Sequence, residues 1–141
     1  MFGSRDTKAV QLLISAILDG KEMHRSAMHI KVVNVGKFYY VQHWNTKIAV
    51  GLRGQFPFAM TTQGWITKTT LNYLRNLRFD LETKKIVLGR RKNQQTGRMN
   101  NIYERVVHID GRPMLDERGC VDYDSWYGRG GLRLCATPDF L

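Results

Sequence analysis

The sequence has few cysteines and acidic residues, and it lacks any long apolar run. Cys120 and Cys135 are its two cysteines, too few for a disulfide framework and not arranged as CxxC. No 18 consecutive residues are apolar, so the sequence predicts no transmembrane helix. The apolar stretch 9–18 follows Asp6 without a small-residue cleavage site, which argues against a signal peptide. We therefore expect a reducing, cytoplasmic setting and no membrane association.

The scarcity of acids leaves a strongly basic chain. Twelve Asp and Glu residues face 22 Lys and Arg residues, which gives a formal net charge of +10. Residues 84–105 hold seven bases against the single acid Glu104, a net +6, whereas residues 106–141 carry −2. Such a concentration costs self-repulsion unless an anionic partner relieves it. The predicted partner is nucleic acid, DNA ahead of RNA. An acidic or nucleic-acid-binding surface of a host protein is the alternative.

The periodicity of apolar residues predicts two helices and a series of strands. Residues 7–19 follow the helical spacing, with Asp6 or Thr7 as N-cap and Gly20 as the stop. A second helix is predicted over 69–77. Strands are predicted at 29–35, 38–43, 47–52 and 56–62, with turns about ten residues apart, as in a meander. The predicted fold class is α+β: one domain over 1–141, with an antiparallel sheet of about five to six strands, an N-terminal helix and a central helix.

A protruding basic hairpin is predicted at about 84–109. The β-rich runs 84–91 and 101–109 flank a polar stretch that forms its tip. Arg and Lys reach phosphates, while Asn and Gln bond base edges or sugars. The predicted nucleic-acid-binding residues of the hairpin are Lys84, Lys85, Arg90, Arg91, Lys92, Asn93, Gln94, Arg98 and Arg105. The alternative is a solvated loop whose charges prevent edge-to-edge aggregation.

A second basic set lies among the aromatic residues of the predicted meander. Lys37, Lys47 and Arg53 are further nucleic-acid-binding candidates there. The neighbouring rings could stack on bases and form a single-strand platform. They belong to Phe38, Tyr39, Tyr40, His43 and Trp44. Strand alternation, however, puts Phe38 and Tyr40 on one face of the strand and Tyr39 on the other. At least one of these faces is expected to lie in the core, so core packing is the preferred interpretation.

Catalytic motifs are missing from the chain. The four histidines are dispersed, and no zinc, Walker or nucleophile-elbow spacing accompanies them, so we predict a non-enzymatic protein with no catalytic residues, metal or cofactor. The enzyme alternative is a metal-dependent nuclease. Its ligands would be His108 and Asp110, or Asp122 and Asp124 with Asp116 and Glu117 nearby. The aromatic and glycine-rich segment 111–141 has no clear period. Its Tyr123, Trp126 and Tyr127 are expected to cover one edge of the core.

The segment 46–74 resembles a pattern found in small bacteriophage-encoded proteins, mostly of unassigned function. A strand ending in Ile48-Ala49 is followed by a short hairpin and then by the motif G-W-x-T-x-T-T at 64–70, which opens a helix. Trp65 would close the helix against the sheet, and a threonine would cap its first turn. The resemblance implies a viral origin, with action in the host cytoplasm during host takeover or regulation.

Overall fold

The computed structural model describes residues 4–64, 66–129 and 138–140. Trp65 and Cys135, which the sequence singles out, lie outside the described residues. The elements are α1 (Ser4–Leu18), β1 (Met23–Arg25), a 3₁₀ turn (Ser26–Met28), β2 (Ile30–Val35), β3 (Phe38–His43), β4 (Thr46–Leu52), β5 (Ala59–Met60), α2 (Lys68–Asn76), β6 (Leu81–Lys92), β7 (Met99–Ile109), β8 (Arg112–Pro113) and β9 (Tyr127–Gly128). Within the described ranges, no helix is long and apolar enough to cross a membrane.

The strands form two antiparallel sheets. The larger has the order β1-β2-β3-β4-β5-β9, and the smaller has the order β6-β7-β8. The predicted α+β class is confirmed, with two α-helices and a six-stranded sheet among the described residues. The six strands differ from those expected, because the long hairpin pairs with β8 instead of joining the meander. The short strands β1 and β9 complete the larger sheet. At two or three residues they are too short for alternation to reveal them.

The first helix begins three residues earlier than predicted and ends one residue before the predicted end, with Gly20 as the stop. Asp6 and Thr7 lie inside α1, so neither is its N-cap. At the other end Gly20 takes a left-handed φ of 68°. Its amide donates to Ile17 O at 3.2 Å, and the amide of Lys21 donates to Ala16 O at 2.9 Å. These two bonds form a Schellman motif, which explains why a glycine stops this helix.

The second helix is capped by a threonine. Thr67 has extended dihedrals, and its hydroxyl oxygen accepts from the Thr70 amide at 3.2 Å. Of the three threonines considered from the sequence, Thr67 is therefore the N-cap. The buried side of α2 carries Leu71, Tyr73 and Leu74.

One apolar cluster joins both helices to the larger sheet and to the base of the hairpin. It includes Leu13 and Ile17 of α1, Val41 of β3, and Val107 and Ile109 of β7. A smaller cluster brings together Val50, Ala59 and Trp126, with Phe58 and Phe140 against it. Trp126 and Tyr127 are buried, as expected from the sequence, whereas Tyr123 is half-buried. The hairpin base is thus part of the core.

Candidate functional site

The distal part of the β6–β7 hairpin, residues 84–105, is called the arm. The two strands pair continuously from Leu81↔Ile109 to Lys92↔Met99. At about 3.3 Å per residue, the nine residues from Lys84 to Lys92 span roughly 27 Å. β8 pairs only with His108 and Ile109 of β7, so within the described part of the chain no strand covers either edge of the arm.

A β-bulge in β6 determines which cations share a face of the arm. Pairing runs Val87↔Tyr103 and then Gly89↔Ile102, so Leu88 is the extra residue. Beyond it, Arg90 and Lys92 pair with residues 101 and 99 of β7. Cross-strand partners share a face, and alternate residues of one strand do so too. The resulting set is called the basic face. It consists of Lys85, Arg90, Lys92 and Arg105, interleaved with Val87, Met99, Asn101 and Tyr103.

The bulge gathers more charge on this face than a regular strand would. If the strands paired without the bulge, Leu88 would pair with Ile102, and Gly89 and Arg91 would alternate onto the face in place of Arg90 and Lys92. Bulges commonly redirect side chains in this way near binding and active sites. Four guanidinium and ammonium groups therefore follow one side of a narrow ribbon, whereas Lys84 and Arg91 occupy the other side.

The cations of the arm are exposed and mostly unpaired with acids. Lys84 lies 3.3 Å from Glu82, which forms an ion pair at the base of the arm. Glu104, the only acid in the arm, is half-buried near its base. Burial, followed by the nearby charge of Glu104, raises the pKa of Tyr123. The distal arm thus presents positive charge without a neighbouring carboxylate.

Aromatic and apolar groups accompany these charges. The Lys85 ammonium lies 5.9 Å from the centre of the Tyr103 ring, and Asn101 Nδ2 donates to the Tyr103 hydroxyl at 3.2 Å. Val87 is 55% exposed and Leu88 is 60% exposed. Exposed apolar side chains grouped in this way are a common feature of contact surfaces.

The tip of the arm is closed by its own hydrogen bonds. Asn93 Oδ1 accepts from the amides of Gln95 and Thr96 at 2.9 and 3.2 Å. The Asn93 amide donates to Arg98 O at 2.8 Å, and Gly97 has a left-handed φ of 75°. The side-chain oxygen of Asn93 is consumed in this turn, whereas Gln94 and Arg98 are exposed.

The structure does not bring the other sequence candidates into the arm. Lys37 lies over the ring of Phe38, with its ammonium 5.4 Å from the ring centre. Lys47 donates to Phe140 O at 3.0 Å. Arg53 donates to the carbonyls of Gly20 and Gly36, at 3.0 and 3.4 Å. Lys47 and Arg53 therefore hold local chain segments together.

Most of the aromatic rings considered for a single-strand platform pack against other residues of the protein. Tyr39 is buried, and Phe140 lies against the half-buried rings of Phe38 and Tyr40, with centroid distances of 6.0 and 5.9 Å. Trp44 is the exception, because 61% of its surface is exposed. Its ring stacks on His29 at 3.5 Å between centroids and 14° between planes.

A buried polar pair lies beside this stack. His43 Nδ1 and Thr70 Oγ1 are 2.9 Å apart, which joins the end of β3 to the first turn of α2. Burial, with the charge of His29 as the smaller cause, lowers the pKa of His43. His43 and Trp44 also line a concavity of about 390 Å³ together with Thr67 and Thr70. That volume lies in the range of about 300–1,000 Å³ usual for ligand pockets.

The acids considered for a nuclease act locally in turns. Asp116 Oδ1 accepts from the amides of Arg118 and Cys120 at 2.8 and 2.9 Å. Asp122 Oδ1 accepts from the amides of Asp124 and Ser125 at 3.0 and 3.1 Å. Across residues 4–64, 66–129 and 138–140, no three His, Cys, Asp or Glu side chains are grouped as metal ligands.

The His29–Trp44 stack and the Leu88 bulge are the features that sequence reasoning missed. The sequence nonetheless contains one indication of the stack and one of the bulge. Trp44 stands in a two-residue turn, where Gly, Asn or Asp is usual. Ile86-Val87-Leu88 interrupts the alternation of β6. No known family model matches this chain, and neither the curated proteins nor the solved structures give a significant match.

Proposed function

We propose that this protein binds nucleic acid without catalysis, duplex DNA ahead of RNA, through the basic face of the arm. The observation that carries the proposal is the bulge at Leu88, which aligns Lys85, Arg90, Lys92 and Arg105 on one side of the ribbon. Several aligned cations can neutralise several phosphates and release their counterions, which supplies most of the affinity of such contacts.

The dimensions of the arm support a groove contact. The major groove of B-DNA is about 12 Å wide and admits a two-stranded ribbon. Among the described residues, no third strand pairs with the arm. Asn101 on the basic face and Gln94 at the tip supply amides for base edges, whereas the cations contact phosphates.

The setting proposed for this activity is the cytoplasm of a bacterial host. The resemblance of segment 46–74 to small phage-encoded proteins supports a phage origin and a role in host takeover or regulation. Both inferences rest on the resemblance alone.

The dependence of affinity on salt tests the proposal. For duplex DNA, log K should fall linearly with log salt, with a slope of about −3 to −5 for three to six phosphate contacts at −0.9 each. The variant Arg90→Ser/Lys92→Ser should flatten the slope by roughly 2, because two contacts are lost. The matched control is Lys84→Ser/Arg91→Ser, which removes the same charge from the opposite face and should flatten the slope less. Equal effects of the two variants would contradict a role for the basic face.

An exchange of residues 89 and 90 tests the arrangement at constant charge. Gly89 pairs with Ile102 and Arg90 with Asn101, so Gly89→Arg/Arg90→Gly moves one guanidinium from the basic face to the opposite face. The exchange should weaken duplex binding, although the net charge is unchanged. Val87→Arg/Arg90→Val is the matched control, because it moves the guanidinium along the basic face and should keep near wild-type affinity. If the two variants bound equally tightly, the arrangement of charges on one face would be irrelevant.

The second candidate is an inhibitor that binds a host enzyme such as RNA polymerase or a defence complex. The observation that favours it is the exposure of Val87, Leu88 and Tyr103, since nucleic-acid contacts rely on charged and polar groups. Capture from host lysate separates the candidates. A protein retained after nuclease treatment and released by Val87→Ser/Tyr103→Ser, with no DNA or RNA binding at low salt, would establish the inhibitor and refute the first proposal.

A further inference from the structure

We propose that the exposed ring of Trp44, backed by His29, stacks on an unpaired nucleobase of a single-stranded nucleic acid. This site lies on the β3–β4 turn and does not include the arm. The inference deepens the proposed function, on which it rests for the identity of the partner as a nucleic acid.

The geometry of the Trp44 ring is that of a stacking platform, with one face of the indole covered by His29. His29 lies parallel to the indole at 3.5 Å between centroids. Trp44 nevertheless keeps 61% of its surface exposed, so its opposite face and edge remain open to solvent. Aromatic side chains in this state stack on bases irrespective of sequence, because every base has a π-face.

The backbone holds Trp44 in a conformation that its side chain disfavours. Trp44 has φ 56° and His29 has φ 52°, both in the left-handed region. Two hydrogen bonds fix the turn: the Trp44 amide donates to His29 O at 2.7 Å, and Gln42 Nε2 donates to Trp44 O at 2.9 Å. Asn or Gly would occupy this position with less strain. Strained residues cluster at ligand sites, so the use of tryptophan here favours a binding role.

The surroundings suit a strand with a phosphate backbone. Three concavities adjoin Trp44, and no Asp or Glu is found among the described residues that line them. Lys31 and His24 line one of the concavities together with Trp44, so a cation lies on the wall that a phosphate next to a stacked base would meet. Asn45 borders two of them and offers an amide to a base edge. A nucleobase with its phosphate therefore matches the ring, the charge and the polar groups of this site.

The test compares short oligothymidylate with an abasic deoxyribose-phosphate strand of equal length, using fluorescence anisotropy at fixed salt. Both strands offer the same phosphates, so a difference in affinity reports base stacking. The protein should prefer the base-bearing strand by roughly 5- to 150-fold. Trp44→Asn should abolish this preference and keep a wild-type or higher melting temperature, because Asn tolerates the left-handed turn. Trp44→Phe, which keeps a ring, should retain much of the preference. If Trp44→Asn does not fold, Trp44→Gly replaces it.

The failures of the two proposals are distinguishable. If Trp44→Asn keeps the wild-type preference for bases while the Arg90→Ser/Lys92→Ser variant loses duplex binding, the stacking site is refuted and the arm stands. If the preference disappears in Trp44→Asn while the arm variant binds duplex normally, the arm is refuted and the stacking site stands. Thymidine monophosphate bound as tightly as the oligonucleotide would refute a strand as the ligand. No binding to any of these probes would overturn both proposals.

Discussion

Gly51 leaves the space that the phenol of Tyr39 occupies: a Cβ atom at residue 51 would lie 2.8 Å from the Tyr39 hydroxyl oxygen. The same hydroxyl donates to Gln55 O at 2.7 Å. Pro57 Cα would be 2.9 Å from that Cβ, so backbone as well as side chain blocks the position. The buried ring thus fixes the chain that follows β4, and burial raises the pKa of the Tyr39 hydroxyl.

Gly51→Ala should therefore destabilise the fold. Overpacking of this kind costs about 1–3 kcal/mol, because the ring and the chain near Pro57 must both move. The measurement is the free energy of unfolding from urea denaturation. Gly89→Ala is the matched control, since a Cβ atom at residue 89 meets nothing within 4 Å. Equal stability of the two variants would contradict the close packing of Tyr39.

Replacing His43 should change the dependence of stability on pH. The pKa of His43 is lowered below its ordinary 6.5, so as the pH falls below 6.5 the unfolded chain takes up this proton first. The contribution of neutral His43 to the free energy of unfolding is thus fully present above pH 6.5. It is lost as the pH falls towards the pKa of His43 in the folded protein, by at most about 1.4 kcal/mol per pH unit. His43→Gln should flatten the free energy of unfolding between pH 7 and 5. Thr69→Ala, which changes an exposed residue and removes no titratable group, is the control and should keep the wild-type slope. A wild-type slope in His43→Gln would refute the assignment.

Thr67→Ala should weaken the start of α2. The variant loses the oxygen that accepts from the Thr70 amide, and such caps are worth about 0.5–2 kcal/mol. Thr69→Ala changes an exposed residue of the same helix turn and should have little effect. Thr67→Ser should restore the stability, since it keeps the hydroxyl. Thermal unfolding of the three variants checks the order, and a failure of serine to restore stability would contradict a capping role.

Arg129→Lys should destabilise the fold despite the conserved charge. The guanidinium donates to Pro57 O at 3.1 Å and to Leu77 O at 2.8 Å, and it lies 4.9 Å from the centre of the Phe79 ring. A lysine ammonium cannot reproduce this fork, so a loss of about 1.5–3 kcal/mol is expected. Chemical denaturation measures it. Arg90→Lys, at an exposed position of the arm, should be neutral. Equal midpoints for the two variants would show that the fork contributes nothing.

Regular patterns in the sequence predicted the regular parts of the fold. The alternation of Phe38–His43 gave the bounds of β3, and Gly20 gave the end of α1, because both depend on local steric preferences. The predicted start of α1 was wrong, because the helix continues back through Asp6 and Thr7 to Ser4. Several residues near a helix start are compatible with capping, so the sequence alone does not select the one at which the helix begins. β1 and β9 were not predicted, because strands of two or three residues show no alternation and form only by pairing with neighbouring strands.

The candidate site was predictable in charge but not in arrangement. The sequence identifies the cations of the arm, yet the face each occupies depends on the bulge at Leu88, which is a property of the paired strands. The His29–Trp44 stack joins residues 15 positions apart through the β2–β3 pairing. Neither the local propensity of these residues nor their spacing in the sequence indicates the face of each cation or the contact between the two rings.

The uncovered edges of the arm have a consequence for solubility. No strand of the described residues pairs with either edge, so each edge offers backbone amides and carbonyls to which another strand could bond, and Ile86-Val87-Leu88 would favour such pairing. Repulsion between like-charged arms opposes it in the free protein. A polyanion that neutralises the arms removes this repulsion. Turbidity should therefore be greatest near the mixing ratio at which the charges of protein and polyanion cancel, and should fall again when either is in excess.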